Sequence, residues 1–205
     1  MFDFFPEFFN KVPSISTFDP LALTLGSVKD GVIKFRYTQI VKSAGHSCPT
    51  VAGAYLMTYK ALEALYDDKQ PVRGEIKVEF KEDEKEGVAG VIGNVITDIT
   101  GATVSNGFKG LGGRFSRVGL MKFNADIDSS ARFSRTDTGK SVDIYYNPSV
   151  VPGNPKMSEL MPKVVSGNST EDELKEFGEL WQDRVKKILI DNFANENMIR
   201  VVEVQ

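Results

Sequence analysis

The only histidine and the only cysteine of the chain stand two positions apart, in His46-Ser47-Cys48. In an extended or turning segment, side chains two apart project to the same side, so an imidazole nitrogen and a thiolate sulfur can meet one metal ion. A helix is expected to open directly after Cys48, and its dipole and free N–H groups attract the negative charge of a thiolate. Closed zinc sites take four side-chain ligands, and here the soft donors are one His and one Cys. The other positions of a metal held there fall to water, a carboxylate, a substrate or a second subunit, which makes the site open to ligands. Asp98, Asp126 and Asp128 are candidate carboxylate ligands or bases, and nothing in the sequence selects among them. The same pair also fits a plainer reading, a turn-capping His46 beside a small buried Cys48, and spacing alone does not choose. A cysteine-protease pairing is disfavoured, because neighbours this close rarely face one another across a substrate.

A second candidate is Ser105-Asn-Gly-Phe-Lys-Gly-Leu-Gly-Gly-Arg114, followed by Arg117. Successive backbone N–H groups beside Lys109 and Arg114 can cradle a phosphate or carboxylate. The segment is no P-loop, since Gly107 and Gly110 are not followed by Gly-Lys-Ser/Thr in register. A mobile glycine-rich turn is the plain alternative.

These groups need elements to hold them. Ser47 can cap a helix, Pro49 is tolerated in a first turn, and Ala52, Tyr55, Leu56, Tyr59, Leu62 and Tyr66 keep helical period. Gly53 inside that helix costs about 1 kcal/mol relative to Ala, which points to close packing against another backbone or a ligand. Upstream, Phe2, Phe4, Phe5, Phe8 and Phe9 suggest a short amphipathic turn that docks on the core or a partner. Leu21–Leu25 and Val32–Tyr37 flank Asp30-Gly31 and predict a β-hairpin. Glu75–Phe80 alternates as a half-buried strand, Lys81–Glu86 reads as a solvated turn, and Val88–Ile99 is a more apolar strand or helix start. Strands are expected at Arg117–Phe123, Ala131–Ser134 and Val142–Tyr146. Asn147–Pro155 holds three prolines and a glycine, which sets a boundary between a core over 1–150 and an appendage over 151–205 packed on it. In that appendage Thr170 and Glu173 have capping-box spacing for a helix through Ile188, and Met198–Val204 reads as a terminal strand returning to the sheet.

Composition removes several function classes. The 205 residues carry 25 Lys plus Arg against 28 Asp plus Glu, a net charge of -3. That balance offers no attraction for phosphate backbones or anionic lipid, so neither nucleic acid nor a membrane surface is an expected partner. No apolar run approaches the roughly 20 residues that span a bilayer. One cysteine allows no disulfide within the chain and no multi-cysteine zinc finger or iron–sulfur cluster. Met1–Pro13 lacks the basic flank and apolar run of a secretory signal, so the expected location is cytoplasmic.

Gly45-His-Ser-Cys-Pro49, continuing through Gly53 to Ala61-Leu-Glu-Ala-Leu65, resembles the signature of the FmdE-like family of formylmethanofuran dehydrogenase accessory subunits, a Gly-His-x-Cys-Pro loop opening a helix with an Ala-Leu-rich end. Gly87-Val-Ala-Gly-Val-Ile92 leads on to Thr100-Gly-Ala-Thr103, near where that family has Thr-Gly-Cys-Thr followed by a Gly-Lys-Gly element. Ala102 stands where its cysteine is expected. The resemblance spans roughly Ser43–Tyr146. It implies an α+β fold, with an antiparallel sheet packed against helices, a dimer of identical chains, and a metal bound by the His and Cys of the motifs, here His46 and Cys48. Zinc is the first choice of metal and iron the second. A haem held by His46 or Cys48 is the alternative, noncovalent because no Cys-x-x-Cys-His is present, with 14 Phe and 6 Tyr available to line its pocket. The expected site lies beside the glycine-rich loop, where a small anionic or pterin-like ligand docks and Lys109, Arg114 or Arg117 neutralises its charge, the metal acting as a Lewis acid or redox centre. Two noncatalytic alternatives stand beside it: a haem or metal carrier, and an accessory component of an oxidoreductase complex docking through Phe4, Phe5, Phe8 and Phe9.

Overall fold

The computed structural model describes residues 4–204, so Phe2 of the N-terminal aromatic cluster lies outside the described residues. In chain order the elements are β1 (Ile15–Phe18), α1 (Pro20–Thr24), β2 (Val32–Phe35), α2 (Tyr37–Ala44), α3 (Pro49–Tyr66), β3 (Ile76–Glu79), α4 (Ala89–Thr100), β4 (Met121–Lys122), β5 (Ala131–Arg135), β6 (Ser141–Tyr146), α5 (Lys156–Val165), α6 (Glu171–Lys186) and β7 (Ile199–Val204). The fold is α+β. A five-stranded sheet runs in the order β4-β3-β5-β6-β7, antiparallel except for the β3–β4 pair.

The sheet's alternation decides which face is buried. Ile76 and Val78 of β3, Phe133 of β5 and Val142 and Ile144 of β6 are fully buried, while the intervening Lys77 faces outward. They join one hydrophobic cluster with α3, in which every side chain from Val51 to Thr58 is buried. A helix that is apolar on all sides belongs at the centre. The sheet, α2, α4 and the segment after α6 all pack on it. The C-terminal strand does return to the sheet, as β7 pairing with β6 over six residues, and Val185, Ile188, Leu189, Met198 and Ile199 join the same cluster.

Leu21–Leu25 is not a strand. Asp19 accepts hydrogen bonds from the N–H groups of Leu21 (2.9 Å) and Ala22 (3.1 Å), and Pro20 occupies the first helical position, so these residues form the short helix α1. The true partner of β2 is β1, which lies upstream of that helix. Tyr37, expected to end a strand, starts α2 instead. Val88–Ile99 resolves as helix α4, and Arg117–Phe123 contains only the two-residue strand β4. Helix α5 occupies part of the expected loop-rich boundary. The N-terminal aromatics dock mainly inward: Phe9 is buried edge-on against Tyr37, and Phe5 and Phe8 pack beside it, so of the expected exposed patch only Phe4 stands in solvent. Among the described residues no helix is long and apolar enough to cross a membrane.

Candidate functional site

Helix α2 ends at Gly45, whose φ of +75° is a left-handed conformation that costs glycine nothing, and Pro49 opens α3. His46, Ser47 and Cys48 are the link between them. Cys48, not Ser47, is the cap of α3, and its Sγ accepts a hydrogen bond from the Val51 N–H at 3.4 Å. His46 is exposed, with Nδ1 3.0 Å from the Ala44 carbonyl. A carbonyl can only accept, so this contact puts the proton on Nδ1 and leaves the Nε2 lone pair for another partner.

Ser47 anchors the link on both sides. Its hydroxyl pairs with the Tyr37 phenol at 2.9 Å. Its carbonyl accepts two hydrogen bonds from α6, one from Trp181 Nε1 at 3.0 Å and one from Gln182 Nε2 at 3.1 Å. The residue between the two candidate donors is therefore held by a helix more than 130 positions away in sequence.

His46 and Cys48 line one cleft of about 820 Å³. That volume lies within the usual range of small-molecule and cofactor sites. Its apolar side includes Met57, Phe80, Val91 and Ile92, and a polar edge comes from Asp128, Ser129 and Ser130. Ser129 and Arg132 both donate to Asp143, and the Arg132 bond holds that carboxyl below its ordinary range. Tyr146 also lines the cleft and donates to the Pro49 carbonyl at 3.0 Å. Burial pushes the Tyr146 and Tyr37 phenols up, and the neighbouring Cys48 adds to the effect, so both remain O–H groups at neutral pH.

The glycine inside α3 has its explanation here. A Cβ at Gly53 would overlap the Tyr146 ring, so what approaches closely is a side chain. Gly53→Ala is expected to lower stability by about 1 to 2 kcal/mol, overpacking outweighing the gain in helix propensity. Urea unfolding checks this, and the loss should vanish when Tyr146 is also alanine; a loss that persists in the double variant would assign the effect elsewhere.

The donor set suits a metal in part. An imidazole with its second nitrogen fixed and a sulfur at a helix start are good ligands. Among the described residues, however, no three His, Cys, Asp or Glu side chains form a group able to hold an ion. Asp128 shares the cleft but is exposed and lies 3.8 Å from Lys81. The family model described as FmdE, Molybdenum formylmethanofuran dehydrogenase operon, matches residues 44–195, more than half of the chain. The chain belongs to the FmdE family. No curated protein matches it.

Within this FmdE chain, Ala102 is fully buried in the hydrophobic cluster and does not line the cleft. The glycine-rich loop is likewise elsewhere. Lys109 is exposed and lines neither the cleft nor the second cavity, Arg114 lines that second, smaller cavity, and Asp126 is exposed outside both. The Asp98 carbonyl accepts from Arg73. Arg117 is 4% exposed and bonded to Asp19 at 2.7 Å, so it is committed to an internal ion pair. Sequence reasoning missed Trp181, Gln182 and Tyr146, and Gly53 is the one residue that signals any of them.

Proposed function

We propose that this FmdE chain is a metal-binding protein in which His46 and Cys48 donate to one transition metal, zinc first and iron second, at the cleft. The observation that supports the reading is that the chain's only imidazole and only thiol line the same 820 Å³ cleft. The open positions fall to water, to a small ligand in the cleft or to a second copy of the chain, which would form the homodimer. When bound, the metal supplies Lewis-acid polarisation of a ligand oxygen, or electron transfer if it is iron. The protein's own residues do the rest. The Ala44 carbonyl fixes the His46 ring, the Val51 N–H steadies the Cys48 sulfur, and Met57, Phe80, Val91 and Ile92 keep water from one side of the cleft. The same volume and apolar wall support a second reading, a noncovalent haem with His46 or Cys48 as its axial ligand.

The test is the metal content and absorption spectrum of the untagged protein beside His46→Ala and Cys48→Ala. Near-stoichiometric metal in the wild type and its loss from both variants, with circular dichroism unchanged, is the expected result. A colourless loaded protein assigns zinc, and a Soret band assigns haem. Full metal retention in Cys48→Ala, or a wild type that stays empty after reconstitution, would overturn the proposal.

A further inference from the structure

Away from the cleft, three guanidinium groups line a cavity of about 260 Å³, those of Arg73, Arg114 and Arg117, together with Gly74, Glu75 and Ser116. Arg117 is the buried member. Its Nη2 donates to Asp19, while Nε and Nη1 donate to no protein acceptor. A Cβ at Gly74 would overlap Nη1, and Gly74 has a φ of +89°, so only glycine leaves room for this guanidinium. Arg73 bonds Asp19 at 2.8 Å and the carbonyls of Ile99 and Asp98. Arg114 is exposed and lies over the Phe115 ring at 4.7 Å, and among the described residues it pairs with no carboxylate. It follows a two-residue turn, Gly112-Gly113, with φ of +57° and +77°, closed by the Leu111–Arg114 bridge. Phe115 itself has a φ of +65°, an uncommon conformation for a bulky side chain.

Charge at the cavity is unbalanced. The three cations face two carboxylates, Asp19 and Glu75. Both Asp19 oxygens are taken by Arg73, Arg117 and the N–H groups that open α1. Burial lowers the Arg117 pKa, Asp19 opposes that shift, and the adjacent Arg73 lowers it further, so an added anion would relieve an existing cost.

We propose that the Arg73–Arg114–Arg117 cavity binds a small tetrahedral oxyanion of the phosphate class, either free or as a group on a larger ligand. Planar guanidinium groups suit phosphate oxygens, and the volume falls below the range for drug-sized ligands. The site is separate from the His46 and Cys48 reading and stands without it.

Titration of the full chain with inorganic phosphate and with glycerol 3-phosphate, against chloride at equal ionic strength, tests the proposal by calorimetry. Saturable binding is expected, weakened at least about tenfold in Arg114→Gln, whose exposed side chain is removable without harm to the fold. Cys48→Ala should bind as the wild type does. Binding of the ester without free phosphate supports the site as a reader of a phosphate group, and binding of both supports the free ion as well. No binding of either at up to about 10 mM, or equal binding in Arg114→Gln, overturns it.

Discussion

Replacing Asp19 with asparagine is expected to cost about 3 to 5 kcal/mol of folding stability, the scale on which a buried charge loses its partner. Asp19 is 2% exposed and Arg117 4% exposed, and one carboxylate bonds both Arg117 and Arg73. Asparagine still accepts the Leu21 and Ala22 N–H bonds, since Asn and Asp cap about equally well, so the loss isolates the charge. The pH dependence follows from the carboxyl group. Burial raises its pKa, but the hydrogen bonds from Arg73 and the Ala22 N–H and the arginine charges together bring it below 3.8. A carboxylate with a lowered folded pKa contributes stability that is fully present above the unfolded value, and that contribution fades as pH falls through the folded one. Urea midpoints of the wild type and Asp19→Asn should therefore be far apart at pH 7 and converge below pH ~4. A gap under about 1 kcal/mol at pH 7 would mean that Arg117 is solvated in the folded protein.

Asp19 also shows why part of the fold is hard to read from sequence. Leu21-Ala-Leu-Thr-Leu25 alternates over five residues, a run too short for periodicity to separate strand from helix. The signal that decides it is the Asp19-Pro20 pair before the run, a cap followed by a first-turn proline. Strands β3, β5, β6 and β7 and helices α3 and α6 are legible, because each carries a full period or a cap of its own. Helix α5 is obscured by the prolines around it, including Pro162 within it. The candidate site divides in the same way. His46 and Cys48 stand out by scarcity alone. Arg117 reads in sequence as a free cation beside a glycine loop, and its ion pair with a residue 98 positions earlier exists only after folding. The aromatic composition gives no hint that Tyr146 crosses α3 at Gly53.

The anchoring of Ser47 gives the second large effect, on metal affinity with little change in stability. Trp181 and Gln182 donate to the one carbonyl that lies between the two proposed ligands. Residues that orient a ligand without touching the metal commonly change affinity by about 10- to 100-fold. Trp181→Phe combined with Gln182→Met removes both donors and keeps two apolar side chains in the packing. Either single change leaves the carbonyl one partner, so the double variant should weaken zinc binding by more than the two single effects combined. Stability should fall little, because Gln182 Oε1 is a buried acceptor with no partner and methionine removes it. Competition against a chromophoric chelator measures the affinity and urea unfolding measures the fold. A double variant that binds zinc as tightly as the wild type would show that α6 only packs on this link. A loss of affinity at nearly constant stability would make the C-terminal helix part of the site, joining the two ends of the family match in one structural unit.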